Sequence, residues 1–147
     1  MGQEELKITS IRKVSDLFEK LLQRKCAELA VNEGLDAKNL TTTEIMFISE
    51  VSSNKTAVQI AKDLCVTKAL ISITAKKLID KGYITTEKSL VDRRSSTFSF
   101  TPKGIKLKRV IEAVRVEIIN KAEKLVSPDG IKVINVITEI LLLNMKN

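Results

Sequence analysis

From about Glu4 to Val31, apolar side chains recur every three or four residues: Leu6, Ile8, Ile11, Val14, Leu17, Phe18, Leu21 and Leu22. That is the period of an amphipathic helix, and Gly34 supplies its stop. Thr41-Thr42-Thr43-Glu44 fits a capping box and predicts a second helix from about Thr42 to Ser53. The same device at Thr56-Ala57-Val58-Gln59 opens a short helix ending near Cys65, with Val58, Ile60, Ala61 and Leu64 available to face inward. Thr67 is a cap for the next helix, which continues to Lys81 before Gly82 ends it. Two short helices separated by roughly three residues form the helix-turn-helix pattern.

After Gly82 the period changes to two. Tyr83 to Lys88 carries the β-branched Ile84, Thr85 and Thr86, and Ser96-Thr97-Phe98-Ser99-Phe100 alternates polar with apolar. Such a pair of half-buried strands, joined by a largely polar loop, predicts a hairpin that projects as a wing. Thr101-Pro102 restarts a helix, with proline at the first position where its missing N–H costs nothing, and this helix should reach about Leu125. Ser127-Pro128-Asp129 repeats the arrangement for a last helix ending near Met145.

That last helix is apolar nearly all round, with Ile131, Val133, Ile134, Val136, Ile137, Ile140, Leu141, Leu142 and Leu143. A helix of this kind must be covered on most of its circumference. The first helix, with its own apolar stripe, is the obvious companion, and the expectation is that both terminal segments pack together and against those of a second copy, with Ile11, Phe18, Ile134, Ile137 and Leu141 in the interface. The fold class that follows is mainly α with a small β-hairpin wing. It places an N-terminal dimerisation helix in residues 1–38, a winged helix-turn-helix lobe in 39–104 and C-terminal dimerisation helices in 105–147, as one intertwined domain.

Composition supports a helical core, because aromatic residues are only 3% of the 147 and aliphatic side chains must fill the interior. The formal net charge is +7. From Lys55 to Arg109 there are thirteen Lys and Arg against four acids, a local excess of +9, so the remainder is slightly acidic. Concentrated positive charge favours a polyanionic partner over general solubility only if a second signal agrees. Cys26 and Cys65 fall on apolar helix faces without metal-ligand spacing, which argues against a disulfide framework. No signal-peptide pattern is present at the start, and the apolar run from Val133 to Leu143 is short of the ~20 residues a membrane span needs. A cytoplasmic protein without membrane partners is expected.

The second signal lies on the helix from Thr67 to Lys81. At 100° per residue, Ile71, Ala75 and Leu78 form one stripe that should face the core. The opposite side presents Ala69, Ile73, Lys76 and Lys77, with Ser72 at its edge and Thr67 and Lys68 near the N-terminus. Small, hydroxyl and cationic groups suit a major groove, where Lys donates to guanine and apolar groups touch a thymine methyl. Lys55 and Thr56, opening the preceding helix, are assigned to phosphate. Asp92-Arg93-Arg94 would sit at the wing tip, where a guanidinium gains from the negative potential of a minor groove. Asp92, repelled by phosphate on its own, would pair with Arg94 and fix its direction.

Gln59-Ile60-Ala61-Lys62-Asp63-Leu64, Val66-Thr67, Lys77-Leu78-Ile79-Asp80-Lys81-Gly82-Tyr83-Ile84, Asp92-Arg93-Arg94 and Phe100-Thr101-Pro102-Lys103-Gly104 together resemble the MarR family of regulators. The resemblance is specific from about Leu40 to Leu107 and elsewhere follows helix order. It implies a homodimeric transcription regulator, usually a repressor, on a pseudo-palindromic operator of double-stranded DNA. It maps the wing aspartate and second arginine onto Asp92 and Arg94, and the recognition contacts onto Lys68, Ala69, Ser72, Ile73 and Lys76. Ile73 stands where many members carry arginine, and Thr86 replaces another arginine, so base preference should differ.

The family resemblance also implies release by a small aromatic or amphipathic effector, or by oxidation or zinc. The chain has no histidine, which weakens a zinc reading. Cys26, late in the first helix, is the candidate for redox response. No cofactor or metal is expected, and nothing pairs a nucleophile with a base or cradles phosphate as an enzyme would. A winged-helix module that binds protein rather than DNA is the main alternative.

Overall fold

Four threonines begin helices at the positions that their sequence neighbourhoods predict. In the computed structural model, which describes residues 8–145 except 89–94, with side chains from residue 12 onward, Thr41, Thr56, Thr67 and Thr101 are N-caps. Each side chain accepts a hydrogen bond from a backbone N–H three residues on, at 3.0–3.3 Å. At Thr41 and Thr56 the box is reciprocal, since the cap N–H donates to Glu44 and Gln59 at 2.8 Å.

The elements that follow are α1 (Ile8–Asn32), α2 (Thr42–Glu50), α3 (Ala57–Asp63), α4 (Lys68–Asp80), β1 (Ile84–Lys88), β2 (Ser96–Phe100), α5 (Pro102–Leu125) and α6 (Pro128–Met145). The start of the first helix as read from sequence, around Glu4, lies outside the described residues. The second helix is shorter than expected. It ends at Glu50 because Val51 turns extended and sinks into the core, while its N–H still donates to the Phe47 carbonyl. The polar Ser52-Ser53-Asn54 then turns to bring Lys55 back.

Three helices end in the same way. After α1, α3 and α4 a residue with positive φ (Gly34, Cys65 and Gly82) donates its N–H to the carbonyl three residues back, and the following apolar residue donates to the carbonyl five residues back, closing the six-residue loop. This is the Schellman cap, whose left-handed residue is usually glycine. Cys65, at φ 53°, occupies it with a side chain.

β1 and β2 pair antiparallel, Ile84 opposite Phe100 and Lys88 opposite Ser96, and Thr56 bridges to Thr97 from the other side. One continuous core joins these pieces: Leu22, Cys26 and Ala30 of α1 meet Phe47, Ile48, Ile60, Ile71, Leu78, Phe98, Leu107 and Val114. Phe47 and Phe98 meet edge to face with ring centres 5.2 Å apart.

The two terminal segments meet within the chain through α1 and α5, which pack together with a Lys25–Glu117 ion pair at 3.2 Å. α6 buries no residue, although its far end at Met145 comes beside Val58, Cys65 and Val66. Among the intended interface residues Phe18, Ile134, Ile137 and Leu141 are exposed, whereas the side chain of Ile11 lies outside the described part. No helix among the described residues is long and apolar enough to cross a membrane.

Candidate nucleic-acid interface

The two faces of α4 divide as its periodicity requires. Ile71, Ala75 and Leu78 are buried, as expected, and Thr74 joins them. A threonine is tolerated there because its hydroxyl donates to the Leu70 carbonyl at 2.8 Å, so no polar atom is left bare. Sequence periodicity missed it because hydropathy counts the hydroxyl and not its local partner.

The opposite face carries every recognition residue named from sequence. Thr67, Lys68, Ala69, Ser72, Ile73, Lys76 and Lys77 are all exposed, Ile73 to 55%. Ser72 donates to the Lys68 carbonyl at 3.0 Å, and Thr67 caps the helix, so both hydroxyls are already oriented. Lys68, Lys76 and Lys77 make no ion pair with any described residue. Three uncompensated ammonium groups around an isoleucine form a surface that can meet phosphate oxygens at its edges and a base methyl at its centre.

The C-terminal end of α4 is held by a clamp that sequence reading did not anticipate. Lys81 donates to both carboxylate oxygens of Glu44 at 2.8 Å and to the Asn39 carbonyl at 3.1 Å. Glu44 is 1% exposed, so its charge is neutralised by Lys81 and by the Thr41 N–H inside the fold. From the other side Thr101 donates to the carbonyls of Gly82 and Tyr83, and Lys103 donates to the Lys81 carbonyl while resting over the Tyr83 ring. Gly104 completes the contact: a Cβ placed there would lie 1.8 Å from the Tyr83 carbonyl oxygen. The Thr101-Pro102-Lys103-Gly104 stretch therefore fastens α5 to the end of the recognition helix.

The wing strands lie where expected, but the tip residues Asp92, Arg93 and Arg94 are outside the described residues. Thr56 caps α3 and bridges to β2, which ties the wing base to the helix-turn-helix. Lys55 has its ammonium engaged within the chain, donating to Glu50 and, at 2.7 Å, to Asp63. Hydrogen bonds to Asp63 and Glu50 raise its pKa.

Behind the lobe, α1, α2 and α5 enclose an apolar cleft of about 360 Å³ lined by Leu22, Ile45, Met46, Leu64, Ile111 and Ile118. Its polar groups are Thr42, Ser49, Glu50 and Arg115, and the Thr42 hydroxyl is buried without a hydrogen-bond partner. Cys26, by contrast, is fully buried, and desolvation pushes its thiol up to about 11. Burial therefore favours the protonated thiol, the less reactive form.

Residues 41–118 match the family described as "Winged helix DNA-binding domain". No curated protein matches the chain by sequence. Among solved structures, the S. aureus MepR–DNA complex superposes with a TM-score of 0.76 at 17% identity, covering 95% of this chain and 99% of that one. A MarR protein from Peptoclostridium difficile gives 0.72 at 20% identity over 100% and 94% of the two chains. Streptococcus pneumoniae FabT in complex with DNA gives 0.67 at 22% identity over 95% and 98%. With the match spanning the caps, both helices of the helix-turn-helix, the wing and most of α5, the chain belongs to the winged helix DNA-binding domain family and has the fold of the MarR-type regulators.

Proposed function

We propose that the chain is a cytoplasmic transcription regulator of the MarR family that acts as a homodimeric repressor on a pseudo-palindromic operator. The observation that carries this reading is the outward face of α4, where Lys68, Lys76 and Lys77 have no ion-pair partner among the described residues around Ser72 and Ile73, on a helix clamped at its far end. Two such helices related by a two-fold axis enter successive major grooves roughly 34–36 Å apart. Asp92, Arg93 and Arg94 reach the adjoining minor groove, with Asp92 steering Arg94. The second copy covers the apolar surface of α6. Function on this reading is binding and not catalysis.

Titration of a fragment from the promoter of its own gene at increasing salt tests the proposal. Affinity should fall steeply, and Lys76→Ala should flatten the slope by about one phosphate. Arg94→Ala should weaken binding while the protein stays folded. Affinity that is insensitive to salt would favour the protein-binding module instead.

The cleft supports a ligand-response arm of the same proposal. Its apolar walls, the unpartnered Thr42 hydroxyl and an Arg115 without an ion-pair partner among the described residues suit an amphipathic molecule with an anionic head. Decanoate should raise the melting temperature and weaken promoter binding, and decanol should do so less. Equal response to both, or to neither, would remove Arg115 from the role.

A further inference from the structure

We propose that Lys55 is a positioning residue for DNA binding, holding the helix-turn-helix against the wall of the cleft, and not a contact to phosphate. The inference rests on the DNA-binding reading above but assigns a different role to a cation that the sequence places at the protein surface.

Lys55 sits in the turn between α2 and α3, fixed by its own N–H donating to the Ser52 carbonyl at 3.2 Å. Its ammonium joins two carboxylates that belong to different helices. Glu50 is the last residue of α2 and lines the cleft; Asp63 is the last residue of α3 and precedes the turn of the helix-turn-helix. Lys55 pairs with both, at 2.7 Å to Asp63. Without a cation between them, these carboxylates would lie close enough to repel, and α3 would lose its fixed distance from α2.

The position next along the chain extends the effect. Thr56 caps α3 and bridges to Thr97 on β2, so the backbone that carries Lys55 also sets where the wing base meets α3. The Lys55 side chain thus references the cleft wall to the first helix of the motif, and the adjoining Thr56 ties that helix to the wing. Each of the three groups is about a third to a half exposed, so the pairing is a modest, adjustable restraint and not a locked core interaction.

The charges give a test with opposite signs. If Lys55 touched phosphate, Lys55→Met would weaken binding and reduce the slope of log affinity against log salt by about one phosphate. In that case Glu50→Gln and Asp63→Asn, which remove negative charge near the DNA face, would tighten binding. If Lys55 positions the motif, all three variants weaken binding, by about three- to tenfold each, the salt slope stays as in the unmodified protein, and Lys55→Arg restores most of the affinity.

The measurement is promoter-fragment binding by the full chain over a salt series, with circular dichroism melting of each variant to confirm folding. Tighter binding by Glu50→Gln and Asp63→Asn, a reduced slope for Lys55→Met, or no change in any variant overturns the inference. Loss of salt-dependent binding by the unmodified protein would instead sink the DNA-binding reading itself, so the two failures are distinguishable.

Discussion

The lobe around α4 and the last helix, α6, are built from the same aliphatic residues and meet opposite fates. Ile71 and Leu78 are fully buried by the chain's own elements, whereas Ile134 and Leu141 are more than half exposed, and α6 leaves none of its residues covered. The lobe also has its helix ends capped and its buried Glu44 paired. On the proposed homodimer reading, the second copy covers this apolar helix, α6, and its ordering would then depend on protein concentration.

The sharpest way to break this contrast is to charge α6. Ile137→Asp combined with Leu141→Asp should convert a dimer to a monomer in sedimentation equilibrium and lower promoter affinity by at least about a hundredfold, because two half-sites no longer act together. The lobe should retain its helical circular dichroism. A variant that still sedimented as a dimer would show that α6 is covered by something other than its counterpart.

A smaller effect is expected within the lobe. Lys81→Ala leaves Glu44 buried with its charge no longer balanced and should destabilise the protein by about 2 kcal/mol, below the usual cost for a fully buried pair because Lys81 is one-third exposed. Adding Glu44→Gln should recover part of that loss in urea unfolding. A Lys81→Ala protein of unchanged stability would mean that Glu44 is satisfied by the Thr41 N–H alone.

The smallest effect should run in the stabilising direction. Cys65→Gly removes a side chain from a left-handed position and should add up to about 1 kcal/mol, offset in part by the greater freedom of glycine in the unfolded chain. The same variant leaves Cys26 as the one remaining thiol. Its alkylation under native conditions should be slow, and fast labelling would contradict a thiol whose pKa is near 11.

The structure separates what local chemistry makes legible from what only packing decides. The threonine caps, the core stripe of α4 and the strands of the wing depend on residues within four positions of one another, and their patterns state them. The left-handed cap at Cys65 was not legible, since no glycine marks it. The Glu44–Lys81 pair joins residues 37 positions apart, and the capping role already explained Glu44. That α1 meets α5 within the chain was not specified by sequence, because α1, α5 and α6 all carry apolar stripes and hydropathy does not name a partner. The pairing of Lys55 with Glu50 and Asp63 was not legible either, because the two carboxylates come from helices on either side of it.

Gly104 sets how closely α5 approaches the end of α4. With no Cβ, this turn of the helix bears directly on the Tyr83 carbonyl, at the end of the recognition helix. Ile118, which lines the cleft, lies fourteen residues farther along, roughly 20 Å at 1.5 Å per residue. One continuous helix thus joins the close contact at the end of α4 to the wall of the cleft.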